Sequence, residues 1–152
     1  MSKDAIERDV VMVRVNGIEG ELAELQKIAT EPLDAFAVGT GYKLAQYHLH
    51  RALEGVFHIA GHILARLPGG QATQYREIAN KLGEVGIVSK EFAEGKLVTM
   101  ARYRNRLVHF YAQITPEELY GILQKDLGDF IVFLSGIKKL LEHPEKFGLT
   151  VE

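Results

Sequence analysis

Apolar residues recur every three or four positions along most of the chain, and this spacing predicts amphipathic α-helices. The first predicted helix covers residues 4–29 and ends before Pro32. Its apolar face consists of Ile6, Val10, Val13, Ile18, Leu22, Leu25 and Ile28. One helical turn is predicted over residues 33–38, and a second long helix over residues 40–67, which stops at Pro68. The core-facing positions of this second helix are Leu44, Tyr47, Ala52, Val56, Ile59, Ala60 and Ile63.

The second half of the chain carries clear helix-start signals. Thr73 is predicted to cap a shorter helix over residues 74–83, and Ser89 to cap a fourth helix. The sequence TPEE from Thr115 predicts a fifth helix, because threonine caps, proline suits the first position and a later glutamate completes a capping box. Its apolar stripe consists of Leu119, Ile122, Leu123, Phe130, Phe133, Leu134, Ile137 and Leu141. Residues 144–152 show no pattern and are predicted to be irregular.

Strand signals are nearly absent, because the few β-branched clusters are short or fall inside helical periodicity. We therefore predict an all-α fold, an antiparallel up-and-down bundle of about five helices, forming a single domain over residues 1–152. The long second and fifth helices offer more apolar side chains than a small core needs, which favours a homodimer through one helical face.

Composition narrows the function classes. Of 152 residues, 47% are hydrophobic and 25% charged, which is typical of a soluble globular protein. The chain has no cysteine, which excludes disulfides, thiolate metal sites and a cysteine nucleophile. No apolar run approaches the roughly 18 residues of a membrane span and no signal peptide is evident, so we expect a cytoplasmic protein without a membrane partner. With a net charge of −2, nucleic-acid binding would depend on a local basic cluster.

The densest basic cluster lies in residues 101–111, which read ARYRNRLVHFY. On an ideal helix with about 100° per residue, one side of this stretch carries Arg102, Asn105, Arg106 and His109. Arg104 lies on the other side, among apolar residues. These neighbours are Leu97, Met100, Leu107, Val108 and Tyr111. Because an unpaired buried charge is unfavourable, Arg104 must bind a carboxylate, a second subunit or an anionic ligand.

Arg104 and His109 are candidates for chemistry on a phosphate. His109 can act as a general acid or base near neutral pH, although most histidines at a helix C-terminus only interact with the helix dipole. Arg104 offers a fork of donors to phosphoryl oxygens, and Asn105 can orient the His109 ring or bind a phosphate oxygen. The two main residues lie about 140° apart on a straight helix. Either the helix unwinds near Val108, or the site combines residues of two chains, as a dimer would allow.

A second polar cluster lies on the second predicted helix and contains Arg51, Glu54, His58 and His62. The last three are spaced four residues apart, which brings possible metal ligands to one face. Without a further ligand nearby, such histidines more often serve packing or hydrogen bonding, so no metal site is assigned. Glu54 is instead predicted to pair with one of the arginines. The remaining histidines are interpreted as surface or capping residues: His48, His50 and His143.

Residues 104–111, RNRLVHFY, match the Arg-x4-His-x-Tyr signature of HEPN-domain ribonucleases and resemble the HepT-like toxin branch most. Residues 51–62 resemble the second helix of that branch, and the connector at residues 86–89 is also similar. The resemblance extends over residues 34–141. His58 departs from it, because many relatives carry an acidic residue there, and this argues against a metal or acidic role at that position.

The resemblance implies a dimeric helical bundle that places two motifs in a shared cleft. It implies metal-independent RNA cleavage by Arg104 and His109, with no cofactor. The residues implied to support RNA binding are Asn105, Arg102, Arg106, Arg51 and Glu54. It also implies a partner, a minimal nucleotidyltransferase antitoxin that transfers AMP to Tyr111, where the added charge and bulk would block the cleft. On the residue pattern alone, Tyr111 can equally be a core tyrosine.

Two functions follow from these observations. The leading one is the toxin of a toxin–antitoxin pair, an endo- or exoribonuclease. In this enzyme a 2′-hydroxyl or water attacks phosphorus, His109 moves the proton and Arg104 stabilises the charge developing on the phosphoryl oxygens. The alternative is a non-catalytic subunit that binds a nucleotide or substrate for a nucleotidyltransferase. Toxicity that His109→Ala relieves would favour the first, and harmless expression without AMP on Tyr111 the second.

Overall fold

The chain folds into a bundle of helices joined by short connections. A computed structural model describes residues 5–152. Its helices are α1 (Arg8–Ile28), α2 (Leu33–Val38), α3 (Gly41–Leu64), α4 (Tyr75–Glu84), α5 (residues 90–109), α6 (Pro116–Lys125) and α7 (Gly128–Glu142). Two short strands, β1 (Ala5–Ile6) and β2 (Thr150–Val151), complete the fold. The predicted all-α class is confirmed. The predicted start of the first helix at Asp4 lies outside the described residues, and the prediction of helix at Ala5 and Ile6 is wrong, because these residues pair with the end of the chain as β1 and α1 begins only at Arg8.

Helices α1 and α3 pack antiparallel against each other, and α3 also contacts α2, α4 and α5. Arg51 Nε of α3 donates to Glu21 Oε1 of α1 at 2.8 Å. Further along, the two backbones approach closely at Gly55, where a Cβ atom would lie 2.7 Å from Ile18 Cγ1. Buried side chains from all the helices named above join one continuous apolar cluster. Helix α3, packed against α1, therefore supports α4 and α5, and α5 carries the Arg-x4-His motif.

Two of the predicted N-caps are confirmed. Ser89 Oγ accepts a hydrogen bond from the backbone N–H of Phe92 at 3.0 Å. Thr115 Oγ1 accepts one from the backbone N–H of Glu118 at 3.1 Å. The prediction for Thr73 is wrong, because α4 begins further along the chain and has no side-chain cap bond.

Helix α5 is not a uniform α-helix. Its Lys90–Phe92 and Val98–His109 segments are α-helical, and Ala93–Leu97 between them is π-helical. A π-helical turn holds more residues than an α-helical one and often lies near a functional site. The apolar pattern did not indicate it, because residues at both ends of the π-helical segment are buried in the core.

The predicted fifth helix is in fact two helices. α6 ends at Lys125 and α7 begins at Gly128. The apolar stripe continues through the break, since Leu123, Leu127 and Phe130 are all buried. The apolar periodicity therefore does not reveal the break, and it predicted one helix where there are two.

The prediction of an irregular tail is wrong. Pro144–Phe147 forms a 3₁₀ turn, and β2 then pairs with β1 in parallel, with Ala5 opposite Thr150 and Ile6 opposite Val151. The strand partner lies at the other end of the described chain, and two-residue strands carry no local signal. No pattern within the tail could have shown this pairing.

Some positions predicted to face the core are exposed. Leu44 and Tyr47 of α3 are 46% and 54% exposed, and Val13 of α1 is 71% exposed. These side chains lie on helix faces that no other element of residues 5–152 covers, because the apolar stripe is wider than the packed contact. Among the described residues, no helix has the length and apolarity needed to cross a lipid bilayer.

Candidate active site

The motif lies in the last turns of α5, and the helix remains intact through it. His109 is the final helical residue, and the N–H of Phe110 still donates to the carbonyl of Arg106 at 2.8 Å. The helix therefore does not unwind near Val108, which was one of the two predicted ways to bring the motif together. Within one chain, Arg104 and His109 keep their separation of about 140° around the axis.

Arg104 is held by the carboxylate that the sequence predicted for it. Its Nε donates to Oε1 of Glu54 on α3, and the two side chains are 20% and 23% exposed. Its Nη1 donates to Asn105 Oδ1 at 3.2 Å. Within residues 5–152, Nη2 has no hydrogen-bond partner. Asn105 thus contacts the guanidinium and, within residues 5–152, makes no hydrogen bond to the His109 ring, whose orientation was one of its two predicted roles.

Tyr75 completes this arrangement, and sequence reasoning missed it. The guanidinium carbon of Arg104 lies 4.4 Å from the centre of the Tyr75 ring. The Tyr75 hydroxyl donates to Glu54 Oε2 at 3.2 Å, so both oxygens of the carboxylate are used. The ring also stacks on Phe57 of α3, with centroids 4.8 Å apart and planes 16° apart. No local pattern could have identified Tyr75, because it belongs to α4 and contacts residues distant in sequence.

Glu54 is ionised at neutral pH. Burial raises its pKa, but the hydrogen bond and charge of Arg104, with the Tyr75 hydroxyl and His50, outweigh burial and leave the pKa below its ordinary value. His50 Nε2 and His58 Nε2 lie 3.6 and 3.5 Å from the carboxylate oxygens. The pKa of Tyr75 is raised, first by burial and then by the Glu54 charge, so its hydroxyl stays protonated and can donate.

Arg106 lies in a similar set of contacts on the opposite side of α5. Its Nη1 lies 3.0 Å from Glu118 Oε2, and its guanidinium carbon lies 5.3 Å from the centre of the Tyr103 ring. The Tyr103 hydroxyl donates to the same carboxylate at 3.0 Å. Burial and Glu118 together raise the pKa of Tyr103. Arg102 is exposed and has no carboxylate partner within residues 5–152, so the three-arginine cluster is less positive than its sequence indicated.

Arg51 does not join Arg104 in this structure. Its guanidinium binds Glu21 of α1 and lies 5.4 Å from the centre of the Tyr47 ring. His48 Nδ1 contacts the same Glu21 carboxylate at 2.5 Å. The predicted role of Arg51 beside RNA therefore requires a substrate that reaches this separate cluster on α3.

The end of α5 is open to solvent. His109 is exposed, and Phe110 and Tyr111 are 54% and 60% exposed. Tyr111 begins a 3₁₀ turn, Tyr111–Gln113, and therefore does not continue the apolar face of the helix. The interpretation of Tyr111 as a core tyrosine is wrong for this reason. The Tyr42 hydroxyl donates to the Ile114 carbonyl and holds this segment against α3.

The possible metal ligands of α3 do not converge. His58 lies beside Glu54, whereas His62 Nε2 accepts a hydrogen bond from the backbone N–H of Glu7 at 3.3 Å. Over residues 5–152 there is no group of three histidine or acidic side chains placed to hold one ion. The geometry of Glu54 is that of an arginine partner.

Comparison with known proteins relates this chain to nucleases and toxins. The family described as ribonuclease HepT-like matches residues 18–137. The chain is 26% identical over 137 residues to the tRNA nuclease HepT of Aphanizomenon flos-aquae, covering 90% of this chain and 92% of that protein.

Solved structures with the same fold include the tri-AMPylated HEPN toxin of Shewanella oneidensis in complex with the MNT antitoxin. It superposes with a TM-score of 0.78 at 22% identity, covering 86% of this chain and 98% of that one. A toxin–antitoxin structure with AMP-PNP also has a TM-score of 0.78, at 21% identity and the same coverage. The likeness confirms the predicted HEPN fold. Because the family match spans most of the chain, this protein belongs to the HepT-like ribonuclease family.

Proposed function

We propose that this protein is the toxin of a toxin–antitoxin pair and cleaves RNA without a metal ion, in the cytoplasm. One observation carries the proposal. The Arg-x4-His motif ends a helix whose tip is open to solvent, and Nη2 of Arg104 has no hydrogen-bond partner within residues 5–152. The cyanobacterial relative is named a tRNA nuclease, so tRNA is the first RNA to test.

Each residue has a distinct part in the proposed cleavage. The 2′-hydroxyl next to the scissile phosphate, or a water molecule, attacks phosphorus, and the bond to the leaving oxygen breaks. His109 accepts the proton of the attacking hydroxyl as general base, and the leaving oxygen takes up a proton from water. Arg104 donates from its Nη atoms to the phosphoryl oxygens as negative charge develops there. Arg102, Asn105 and Arg106 bind the neighbouring backbone phosphates in this proposal.

The working site combines Arg104 of one copy with His109 of a second copy. The two residues point away from each other within one chain, and the helix between them is regular. A homodimer that pairs two α5 tips would place one Arg104 across a cleft from the other copy's His109. Val108 and Phe110 are exposed apolar side chains near this tip, and such an interface would bury them.

Mixing two inactive variants tests the composite site. Arg104→Ala and His109→Ala chains are each expected to be inactive alone. When the two chains are co-expressed and pair at random, about half of the dimers are mixed, and each mixed dimer has one intact site of two. About a quarter of wild-type cleavage should therefore return. A shared site predicts this recovery, whereas a site built within one chain predicts none.

The matched control for His109→Ala is His143→Ala, because His143 is also an exposed histidine at a helix C-terminus. It should cleave RNA like wild type. Cleavage should also survive EDTA if no metal takes part. An active His109→Ala variant would contradict the assignment of the general base.

Tyr111 is the proposed site of control by a minimal nucleotidyltransferase antitoxin. Its exposed hydroxyl oxygen attacks the α-phosphorus of ATP, its proton leaves, and pyrophosphate departs with the broken phosphoanhydride bond. The attached AMP places negative charge beside the motif and should repel RNA. The structurally similar Shewanella oneidensis toxin is described as tri-AMPylated.

Intact mass after co-expression with the neighbouring nucleotidyltransferase tests this step. Wild type should gain one or more AMP units and lose nuclease activity. Tyr111→Phe should gain none, whereas Tyr47→Phe, which changes another exposed tyrosine, should be modified like wild type. AMP on the Tyr111→Phe protein would place the modification elsewhere.

A non-catalytic binding subunit is the second candidate. The observation that favours it is the neutralisation of Arg104 by Glu54, because a paired guanidinium binds phosphate less strongly than a free one. This function predicts nucleotide or RNA binding without cleavage in wild type and in every mixture of variants. Overexpression would then be harmless even when Tyr111 carries no AMP.

A further inference from the structure

We propose that Tyr75 is a positioning residue that fixes the direction of the Arg104 guanidinium. The inference rests on the proposed function, in which Arg104 contacts the phosphate. Tyr75 lies on α4, outside the motif and outside the helix that carries it. It acts through Arg104 and makes no contact with the reacting atoms.

The first argument is the packing of the ring. Phe57 stacks nearly parallel to Tyr75, and the Arg104 guanidinium carbon lies 4.4 Å from the same ring's centre. The Tyr75 ring therefore contacts both the Phe57 ring and the cation. Phe57 is buried and its own position is fixed by the core. Because Phe57 fixes the Tyr75 ring, the cation–π contact limits the positions that the Arg104 guanidinium can take.

The second argument is the carboxylate that both residues share. Glu54 Oε2 accepts from the Tyr75 hydroxyl at 3.2 Å, and Glu54 Oε1 accepts from Arg104 Nε. The carboxylate holds the Nε edge of the guanidinium, and the Tyr75 ring packs against the group with its centre 4.4 Å from the guanidinium carbon. A planar group held at one edge and packed against a ring has little freedom left, so its remaining Nη edge keeps one direction.

The third argument is the rigidity of the element that carries Tyr75. It is the first residue of α4, which is anchored by the buried side chains of Ile78, Ala79 and Leu82. The loop before it is also tied down, because Lys81 Nζ donates to the Gly69 carbonyl at 2.7 Å. Tyr75 is therefore a fixed support rather than a mobile surface side chain.

These contacts give Tyr75 two separable contributions, one from the ring and one from the hydroxyl. Tyr75→Leu removes both, and the guanidinium can then rotate away from the direction that suits the transition state. We expect the cleavage rate at saturating RNA to fall roughly 10- to 100-fold, because small errors in placement have large effects on rate. Tyr75→Phe keeps the ring and should lower the rate only about threefold.

The matched control is Tyr120→Phe. Tyr120 is also half-buried and its hydroxyl donates to a distant backbone carbonyl, that of Glu31, at 2.6 Å. Losing this hydroxyl should lower stability without changing the cleavage rate.

The KM for RNA should change less than about twofold in the Tyr75 variants, because Arg102 and Arg106 still bind the RNA backbone.

Coupling to Arg104 separates positioning from a general structural role. In an Arg104→Lys background the fork is absent, so adding Tyr75→Leu should lower the remaining rate less than about twofold. An equal loss in both backgrounds would overturn the proposal. So would a Tyr75→Leu protein that cleaves like wild type.

A spectroscopic measurement tests the same geometry when no cleavage is available. In wild type the Nε–H resonance of Arg104, assigned with Arg104→Lys, should be shifted by the Tyr75 ring current and protected from exchange by Glu54. Tyr75→Leu should remove the shift, and Tyr120→Phe should leave it unchanged. A wild-type protein that shows this signature but never cleaves RNA refutes the proposed function and leaves the positioning of Arg104 by Tyr75 intact. An Arg104 signal that Tyr75→Leu does not move refutes the positioning role of Tyr75.

Discussion

Arg104 keeps its charge at a partly buried position because three contacts compensate for lost hydration. Glu54 supplies the opposite charge, Asn105 an acceptor, and Tyr75 the negative face of its ring. The sequence alone predicted the need for such a partner and named Glu54 among the candidates. It gave no indication of Tyr75, because the ring approaches from an element without any motif.

His62 provides a residue-scale prediction about pH. Burial first, and then the charge of Arg66, lower its pKa below the ordinary value of 6.5, while Glu7 opposes this shift. Its neutral Nε2 accepts the backbone N–H of Glu7. In the unfolded chain His62 binds its proton at a higher pH than in the folded protein. The stabilisation of the folded state by neutral His62 is therefore complete above about pH 6.5 and is lost as the pH falls through the folded pKa.

Urea unfolding at several pH values checks this prediction. The free energy of unfolding of wild type should fall more steeply below about pH 6.5 than that of His62→Gln, whose amide oxygen can accept the same bond without titrating. The difference between the two proteins isolates His62 from the other histidines. Parallel curves would show that the contact does not depend on protonation.

At the scale of elements, the approach of α1 to α3 depends on Gly55. A methyl group there would lie 2.7 Å from Ile18 Cγ1, so Ile18 or the helices would have to shift. We expect Gly55→Ala to lower the free energy of unfolding by about 1–3 kcal/mol, as overpacking does. Chemical denaturation measures this change in the free energy of unfolding.

Gly61→Ala is the matched control in the same helix. A Cβ atom at Gly61 would meet nothing within 4 Å, so only the helix propensity changes. This variant should be more stable than wild type by up to about 1 kcal/mol. If both variants were stabilised equally, the α1–α3 contact would be looser than described.

The helices themselves were largely predictable, because their signals are local. The caps of Ser89 and Thr115 and the apolar period of α1 and α3 can each be read within a few residues. The π-helical turn in α5 and the break between α6 and α7 could not be read, because buried residues continue through both. Their geometry depends on how neighbouring helices pack together, and the apolar periodicity of one helix carries no information about that packing.

At the scale of the whole molecule, exposed apolar side chains on α3 favour an interface close to the α5 tip. Leu44 and Tyr47 precede Glu54 on α3, which runs antiparallel to α5, so they lie towards the end that carries His109. We expect Leu44→Glu to weaken the proposed homodimer at least about tenfold, since a charge would be buried in the interface. Light scattering across a dilution series measures the dissociation constant of the dimer. The cleavage rate should fall as the fraction of dimer falls.

Ile131→Glu is the control for that variant. Ile131 is a comparably exposed apolar residue on α7, at 57% exposure. Its substitution should change neither the dimer nor the cleavage rate. Dissociation caused by Ile131→Glu, with Leu44→Glu still dimeric, would move the interface to α7.

The sequence by itself determined the helical class, the caps at Ser89 and Thr115, and the placement of Arg104 and His109 on one helix. These depend on the helical period, on short-range hydrogen bonds and on the order of residues along one element. Only the tertiary structure decided that Tyr75 lies against Arg104, that Glu118 neutralises Arg106, and that β1 pairs with β2. Each of these contacts joins residues far apart in the chain, and their meeting depends on the packing of whole helices, which no local pattern records.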